Sequence, residues 1–343
     1  DQSTYLDEAV ARSLPVLRNV PYRSQTVTDF QTETWALYTQ ATYALTDRWD
    51  VTAGIRYTEE ERDMSKTDFL SISGRLARTT LFPDANREFD NVSPMGSVSY
   101  DWSEDIMTYF KVSAGYQSGG FNPRDTSTAG FPIGFDEEDL ISYEIGWKST
   151  LADQRVRLNG AVFFSDYDDK QVNIFATIPV PRSTIRNAGV VEIWGAEVEL
   201  LAQLTEHAEV GVDYGYTDPE YKELEDEAGR DLSNSNFPFT PEHNAHAYFT
   251  YEFPRLSVGA LSARVDWSYK DAMTFLVPVP EPNSEGSYDL WDARLTLSEI
   301  AGPGDSSMRV SLWGKNLADE EYWNFGVNLY NGQGWTINGY GEE

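Results

Sequence analysis

Cysteine is absent from the 343 residues, so the chain can hold no disulfide framework, no thiolate metal site and no cysteine nucleophile. Histidine is scarce, with 3 residues, which leaves little for an imidazole metal centre or a Ser-His-Asp arrangement. Cations are outnumbered, 26 Lys and Arg against 56 Asp and Glu, for a net charge of -30. Phosphate recognition needs clustered cations, so nucleic acid is excluded as a partner. No apolar run approaches the ~18 residues of a helical membrane span, which excludes helices as a way across a bilayer. Strands remain open, because a barrel strand needs only ~10 residues of alternating polarity and its polar face keeps mean hydropathy low. Residues 1–6 show no cationic stretch followed by an apolar one. The expectation is that no signal peptide is present and that the chain is mature or begins within a longer protein.

Aromatic residues are abundant, at 14% of the chain, a share that suits strands and interfacial girdles. They sit within a two-residue period. In residues 34–45, Trp35, Leu37, Ala41, Tyr43 and Leu45 alternate with Thr34, Gln40 and Thr42. After a short turn, Val51, Ala53, Ile55 and Tyr57 take one side and Asp50, Thr52, Arg56 and Thr58 the other, which predicts a hairpin. The unit recurs at 92–100 with 106–117, 142–148 with 155–166, 185–202 with 208–217, 244–253 with 260–269, and 288–297 with 308–316. This predicts about 12 strands.

Short connections near Asp47, Trp102, Ala152, Thr205, Pro254 and Gly302 alternate with long ones at 59–91, 118–139, 168–184, 218–242 and 270–287. Such alternation marks an up-and-down meander with its turns at one end and its loops at the other. Trp49, Tyr100, Trp102, Trp147 and Phe253 lie beside the short turns, while Tyr57, Tyr116, Tyr143, Tyr167, Tyr216, Trp267 and Tyr269 lie toward the long loops. Two aromatic girdles are the expectation. Each strand has one apolar face and no helix to cover it, so hydrocarbon is its expected solvent. The fold class predicted is all-β, an antiparallel up-and-down transmembrane β-barrel. Its lumen would be lined by both charge signs, among them Arg56, Lys111, Glu144, Lys148, Asp213, Arg264, Asp266 and Arg294, with Arg157 paired to Glu197 and Glu199.

Five stretches follow in order: residues 49–58 (WDVTAGIRYT), 111–122 (KVSAGYQSGGFN), 143–148 (YEIGWK), 187–189 (NAG) running on to 195–199 (GAEVE), and 315–322 (KNLADEEY). Together, over nearly the whole chain, they resemble the C-terminal barrel of TonB-dependent outer-membrane receptors. The resemblance implies a 22-stranded barrel in the bacterial outer membrane, of which this chain supplies about 12 strands. It also implies an N-terminal plug, a segment that engages TonB, and energised uptake of ferric siderophores, cobalamin, haem or carbohydrate. The chain departs from the pattern in lacking a plug-like N-terminal domain and a final strand ending in an aromatic residue. It is therefore expected to be a partial barrel domain over 1–343, with 1–31 as an extracellular loop. The function expected is active transport of a scarce bulky nutrient, foremost a ferric siderophore, by a monomer embedded in lipid and lipopolysaccharide. A passive porin-type channel and a soluble carbohydrate-binding β protein are the alternatives.

His243 and His246 stand three apart, so on a strand they point to opposite faces and cannot share one ion. The acidic runs at 59–61, 136–139 and 223–227 lack the spaced pattern of a calcium loop and are read as solvated, as are Asp166, Asp168 and Asp169. Gly332-Gln333-Gly334 lacks the third glycine and the preceding strand of a dinucleotide fold. No metal, cofactor or catalytic residue is expected. Ligand contact is assigned to aromatic and cationic side chains of the long loops: Phe121, Arg124, Phe131, Phe175, Arg182, Phe237, Phe275, Phe325, Tyr330 and Trp335. The competing reading is that these side chains only pack the loops onto one another.

Overall fold

The computed structural model describes residues 22–125, 128–176, 182–187, 189–226, 229–277, 284–328 and 336–340. Every regular element among the described residues is a strand. In chain order they are β1 (Tyr22–Ala44), β2 (Trp49–Ile72), β3 (Arg75–Leu81), β4 (Ala85–Ser103), β5 (Ile106–Gln117), β6 (Glu138–Leu151) and β7 (Val156–Asp168). There follow β8 (Gln171–Ala176), β9 (Arg182–Asn187), β10 (Val191–Thr205), β11 (Ala208–Tyr221), β12 (His243–Glu252) and β13 (Ala260–Lys270). The last are β14 (Met273–Thr274), β15 (Ser284–Glu285), β16 (Tyr288–Ala301), β17 (Ser307–Gly314), β18 (Trp323–Asn328) and β19 (Thr336–Tyr340). A 13-stranded antiparallel sheet runs β1-β2-β4-β5-β6-β7-β10-β11-β12-β13-β16-β17, with β3 paired to β2. The hairpins β8–β9, β14–β15 and β18–β19 stand apart from it. The sheet is the predicted meander, open between β1 and β17.

Register explains why the alternating sequence works. Lys148, Asn159, Glu199, Asp213, His246 and Ser268 are opposed in turn across β6, β7, β10, β11, β12 and β13. One residue along, the opposed set becomes Trp147, Gly160, Val198, Tyr214, Ala245 and Tyr269. Because side chains alternate strictly, the first row faces one side of the sheet and the second row the other. The apolar side is uncovered: Leu37 is 72% exposed, Ile145 61% and Leu312 75%. No second layer packs against these side chains among the described residues, the arrangement expected of a single transmembrane wall.

Ring pairs gather toward both ends of the strands, as two interfacial girdles would. At the short-turn end Trp49, Tyr100 and Trp102 meet at 4.6 and 4.8 Å between centroids. Toward the long connections lie Trp35 on Tyr57 at 5.3 Å, Phe164 on Trp194 at 4.6 Å with Tyr143 beside it, and Trp267 on Trp291 at 6.4 Å. From Trp49 to Tyr57, β2 contributes about the 9–11 residues that a tilted strand needs to cross hydrocarbon.

Beyond Tyr57 the structure departs from expectation. The connection predicted at 59–91 is mostly strand, since β2 is 24 residues long, β3 and β4 continue its ribbon, and β1 pairs along it from Tyr22 opposite Ile72. Residues 22–31, read as loop, are therefore strand. Above the membrane both faces of a ribbon meet water, and a segment such as Glu59–Glu60–Glu61–Arg62–Asp63 has no apolar period to betray it. The strand predicted at 185–202 is also interrupted. β9 ends at Asn187 and β10 starts at Val191, with Gly189 at φ 92° making the turn that a side chain would resist.

Large rings lie over glycines on neighbouring strands. Tyr109 opposes Gly146, Trp147 opposes Gly160, Phe163 opposes Gly195 and Tyr248 opposes Gly211. A Cβ added at any of these glycines would come within 2.5 Å of the ring atoms. The missing side chain lets the ring lie flat against the wall.

The assignment of faces is tested by two neighbouring substitutions in the full-length protein, refolded into lipid vesicles. Val162→Arg, on the apolar face, should cost about 2–4 kcal/mol, whereas Ala161→Arg, opposite Glu197 on the polar face, should cost under about 1 kcal/mol. Equal losses would reverse the facing.

Candidate functional site

The polar face carries a continuous set of paired side chains. The Tyr109 hydroxyl donates to Glu144 at 2.6 Å. Asn159 Nδ2 donates to Glu199 at 3.0 Å, and Arg157 reaches the same carboxylate at 3.1 Å, so Glu199 is the Arg157 partner and Glu197 is not. His246 stands between Asp213 and Asp266, 3.5 Å from each. Arg264 is 2.6 Å from Asp266 and lies 3.8 Å over the Tyr248 ring, whose hydroxyl donates to Glu209 at 2.9 Å. Among the described residues, Lys111, Lys148, Lys270 and Arg294 make no ion pair. His243 is on the other face, with Nδ1 2.8 Å from the Tyr214 hydroxyl, so the two strand histidines are separated as their spacing requires. A concavity of 690 Å³ opens in this wall beside Lys148, Glu199, Asp213 and His246.

The buried hydrophobic clusters lie above the wall, in the connections. In the first, Val172 and Ile174 of β8 pack with Val191, Tyr221, Leu224 and Val277, and Phe237 stacks on Tyr221 at 4.7 Å. The second joins Met64 and Ala85 of the ribbon to Phe82, Phe121 and Phe131. Lys66 is buried against it, with Nζ 4.1 Å from the centre of the Phe82 ring, 3.3 Å from Asp68, and donating to the Asp125 carbonyl. A lysine can be buried there because its charge keeps both an anion and a carbonyl.

Two of the motifs in the sequence prove to be fasteners. Asn187 Nδ2 sits 2.9, 3.1 and 2.9 Å from the carbonyls of Asp136, Glu137 and Asp169, while its Oδ1 accepts from the Asp136 amide at 2.8 Å. One amide thus ties the connection after β5 to the one after β7. Asn316 accepts from the Glu320 amide and donates its own amide to Asp292, each at 2.9 Å, holding the turn after β17 to the wall.

The ligand candidates divide. Phe121 and Phe131 are buried in one cluster, Phe275 is 1% exposed, and Phe237 is stacked inside the other cluster, so these four pack connections together. Arg124 and Phe325 are exposed. The side chains of Phe175 and Arg182, together with Tyr330 and Trp335, lie outside the described residues. A residue not singled out in the sequence, Phe239, is 53% exposed, with its ring 5.6 Å from Phe275 and 6.4 Å from Phe325. It borders a second concavity of 420 Å³ with Thr217, Asn244, Lys270 and Met273. Asn244 and Lys270 also edge the first concavity, so the two adjoin. The one sequence signal for Phe239 is its frame, Pro238 and Pro241.

A further fastener is Glu60, which accepts from the Ser118 hydroxyl and from Arg62 Nε, and outcomes follow for it and for Asn187. Above the membrane, burial acts to raise the Glu60 carboxyl, but hydrogen bonds from Ser118 and Arg62 and the charge of Arg62 outweigh it and hold the carboxyl below its usual range. A depressed acid stabilises the fold above its ordinary value of 4.5 and releases that contribution as pH falls through the lowered one. Hydrogen exchange over residues 118–125 should therefore accelerate on strong acidification, and Glu60→Gln should accelerate it already at neutral pH; unchanged exchange in that variant would remove the latch. Asn187→Ala should speed exchange of the Asp136 amide about 5-fold, the worth of roughly 1 kcal/mol of hydrogen bonding.

A family model described as TonB dependent receptor-like, beta-barrel matches residues 4–317. The pesticin receptor of Yersinia pestis is 32% identical over 182 residues, covering 52% of this chain and 25% of that protein. The ferrichrome outer membrane transporter/phage receptor of Escherichia coli K12 is 26% identical over 284 residues, 80% of this chain and 33% of that protein. In space, the ferric yersiniabactin uptake receptor FyuA of Yersinia pestis gives a TM-score of 0.75 at 21% identity, over 93% of this chain and 45% of that one. The chain thus spans less than half the length of each of these relatives. Strand order, aromatic girdles and the match over 4–317 agree: the chain belongs to the TonB-dependent receptor β-barrel family, proteins of the bacterial outer membrane that are receptors and not enzymes.

Proposed function

We propose that the complete protein imports a scarce, bulky nutrient across the outer membrane, foremost a ferric siderophore, with energy delivered through TonB. The observation that carries this reading is the pair of adjoining concavities, one bordered by Phe239 and Pro241 of a long connection and one in the polar wall, which support passage along that face. The long connections are held by apolar clusters and side-chain fasteners, an arrangement suited to capture and unlike a bare pore. Relatives named for ferrichrome transport and for ferric yersiniabactin uptake support an iron chelate as cargo. Contact with TonB is assigned to parts of the protein other than this wall. The girdles suit lipid and lipopolysaccharide, and the protein is expected to act as a monomer.

The test is growth under iron limitation. The full-length gene should restore growth on a ferric siderophore to a strain that lacks its own receptors, and only when TonB is intact. Rescue that persists without TonB would instead make the protein a passive channel, and recovery of the product in the soluble periplasmic fraction would overturn both readings.

A further inference from the structure

Two ladders climb past the level of the Tyr57 ring, β2 with β4 as far as Met64–Ala85 and β5 with β6 as far as Gln117–Glu138. The ladder between them stops short. β4 and β5 pair from Ser103–Ile106 only to Met95–Ser113, below the level at which Val92 lies opposite Tyr57. Among the described residues no other strand takes up the two freed edges. Proline has no N–H to pair and is confined in sheets to edges and bulges, so Pro94 stands where an inner strand turns into an edge. Unpaired backbone at membrane depth is tolerated only where protein covers it or water reaches it.

Side chains pass through the fissure that results. By register Asn91, opposite Thr58, lies on the polar face with Arg56, Glu60 and Arg62, whereas Tyr116 and its opposite residue Asp139 lie on the apolar face with Val112. Yet Asn91 Nδ2 donates to Asp139 at 3.1 Å, and Tyr116 comes within electrostatic reach of Arg56, Glu60 and Arg62. A ladder with strands ~4.8 Å apart keeps such residues on opposite sides of the sheet. They meet here because the ladder is missing. Ser118 completes the closure, accepting from Arg62 at 2.6 Å and donating to Glu60. On the polar side a Cβ added at Gly115 would meet nothing within 4 Å, so open space adjoins the gap. Side chains make this closure, and they can turn aside without breaking a ladder.

The two lips differ. Val92, Pro94 and Ile141, on the apolar face, are exposed. Arg56, Ser93 and Ser113 line the polar face. An opening at the height where lipid meets water, apolar outside and polar within, matches a molecule with an alkyl chain and a polar head. We propose that the break between β4 and β5 above Met95 is a side door, gated by Tyr116, through which an amphiphilic metal chelate passes its polar head from the outer leaflet into the lumen while its acyl chain trails in lipid. This deepens the import reading, rests on it, and names the class of cargo.

The test uses the full-length protein refolded into phosphatidylcholine vesicles, with any cysteine outside this wall replaced by serine and one cysteine introduced on the polar face. Ser93→Cys stands at the fissure, and Ser97→Cys in the unbroken ladder below, opposite Thr52 and Lys111. N-Dodecylmaleimide dissolved in the bilayer should label Ser93→Cys at least about 10-fold faster than Ser97→Cys, while a small water-soluble maleimide entering by the lumen should label the two within about threefold. Adding Tyr116→Gly should raise the first rate further, and adding Tyr116→Phe, which keeps the ring, should leave it unchanged. An iron(III) tris-hydroxamate bearing one dodecanoyl chain, in excess, should slow that labelling at least about threefold, as a competitor at twice its dissociation constant does, and its acetyl analogue should not. Equal labelling of the two positions by dodecylmaleimide, a rate indifferent to Tyr116→Gly, or protection by both hydroxamates alike or by neither overturns the side door. Labelling does not depend on TonB. A closed fissure in a protein that still restores TonB-dependent growth therefore removes the side door alone, and an open one in a protein that does not removes the import reading alone.

Discussion

A strand that crosses hydrocarbon has nowhere to send its N–H and C=O groups except to its neighbours, because lipid offers neither donor nor acceptor. The long, nearly unbroken ladders of this sheet answer that requirement, with β1 and β2 opposed residue by residue from Tyr22–Ile72 to Ala44–Asp50. Once pairing is complete the register is fixed, and with it the side on which every residue falls. The polar row through Glu199, Asp213 and His246 and the apolar row through Val198 and Tyr214 are thus two results of one condition. A slip of one residue would put carboxylates into lipid and leucines into the lumen.

Among the described residues the wall has no core cluster of its own, and tight packing appears where water returns. The cluster around Val191 and Tyr221 and the one around Phe131 both lie where strand ends meet the connecting segments, which Asn187 and Lys66 tie down. Fixed connections make a defined mouth, and they hold Phe239 in the left-handed region at φ 56°. The lumen below is different in character. Its charges are paired in part, as at Arg157 with Glu199 and Arg264 with Asp266, and in part without an ion pair among the described residues, as at Lys148 and Lys270.

Which features the sequence disclosed follows from the same physics. Inside the membrane, lipid on one side and water on the other force alternation, so β5 could be read at 106–117, the limits that the structure shows. Above the membrane the two faces are alike, and the acidic ribbon of β2 and β4 left no period to detect. At the site, Phe121, Phe131 and Phe325 look alike as letters; two of them are buried and one is displayed, a distinction created by partners distant in the chain. Phe239 escaped notice because a left-handed backbone is not a property of phenylalanine. Only its flanking prolines hinted at constraint.

The rings laid over Gly146, Gly160, Gly195 and Gly211 bear on how such a wall changes over generations. Each ring and its glycine form a single fitted unit shared between two strands. A side chain gained at the glycine evicts the ring, and a ring lost to a small residue leaves bare backbone facing lipid or lumen. Neither half can drift freely alone, so related walls should record these sites as coupled exchanges, large for small on one strand and small for large on the next.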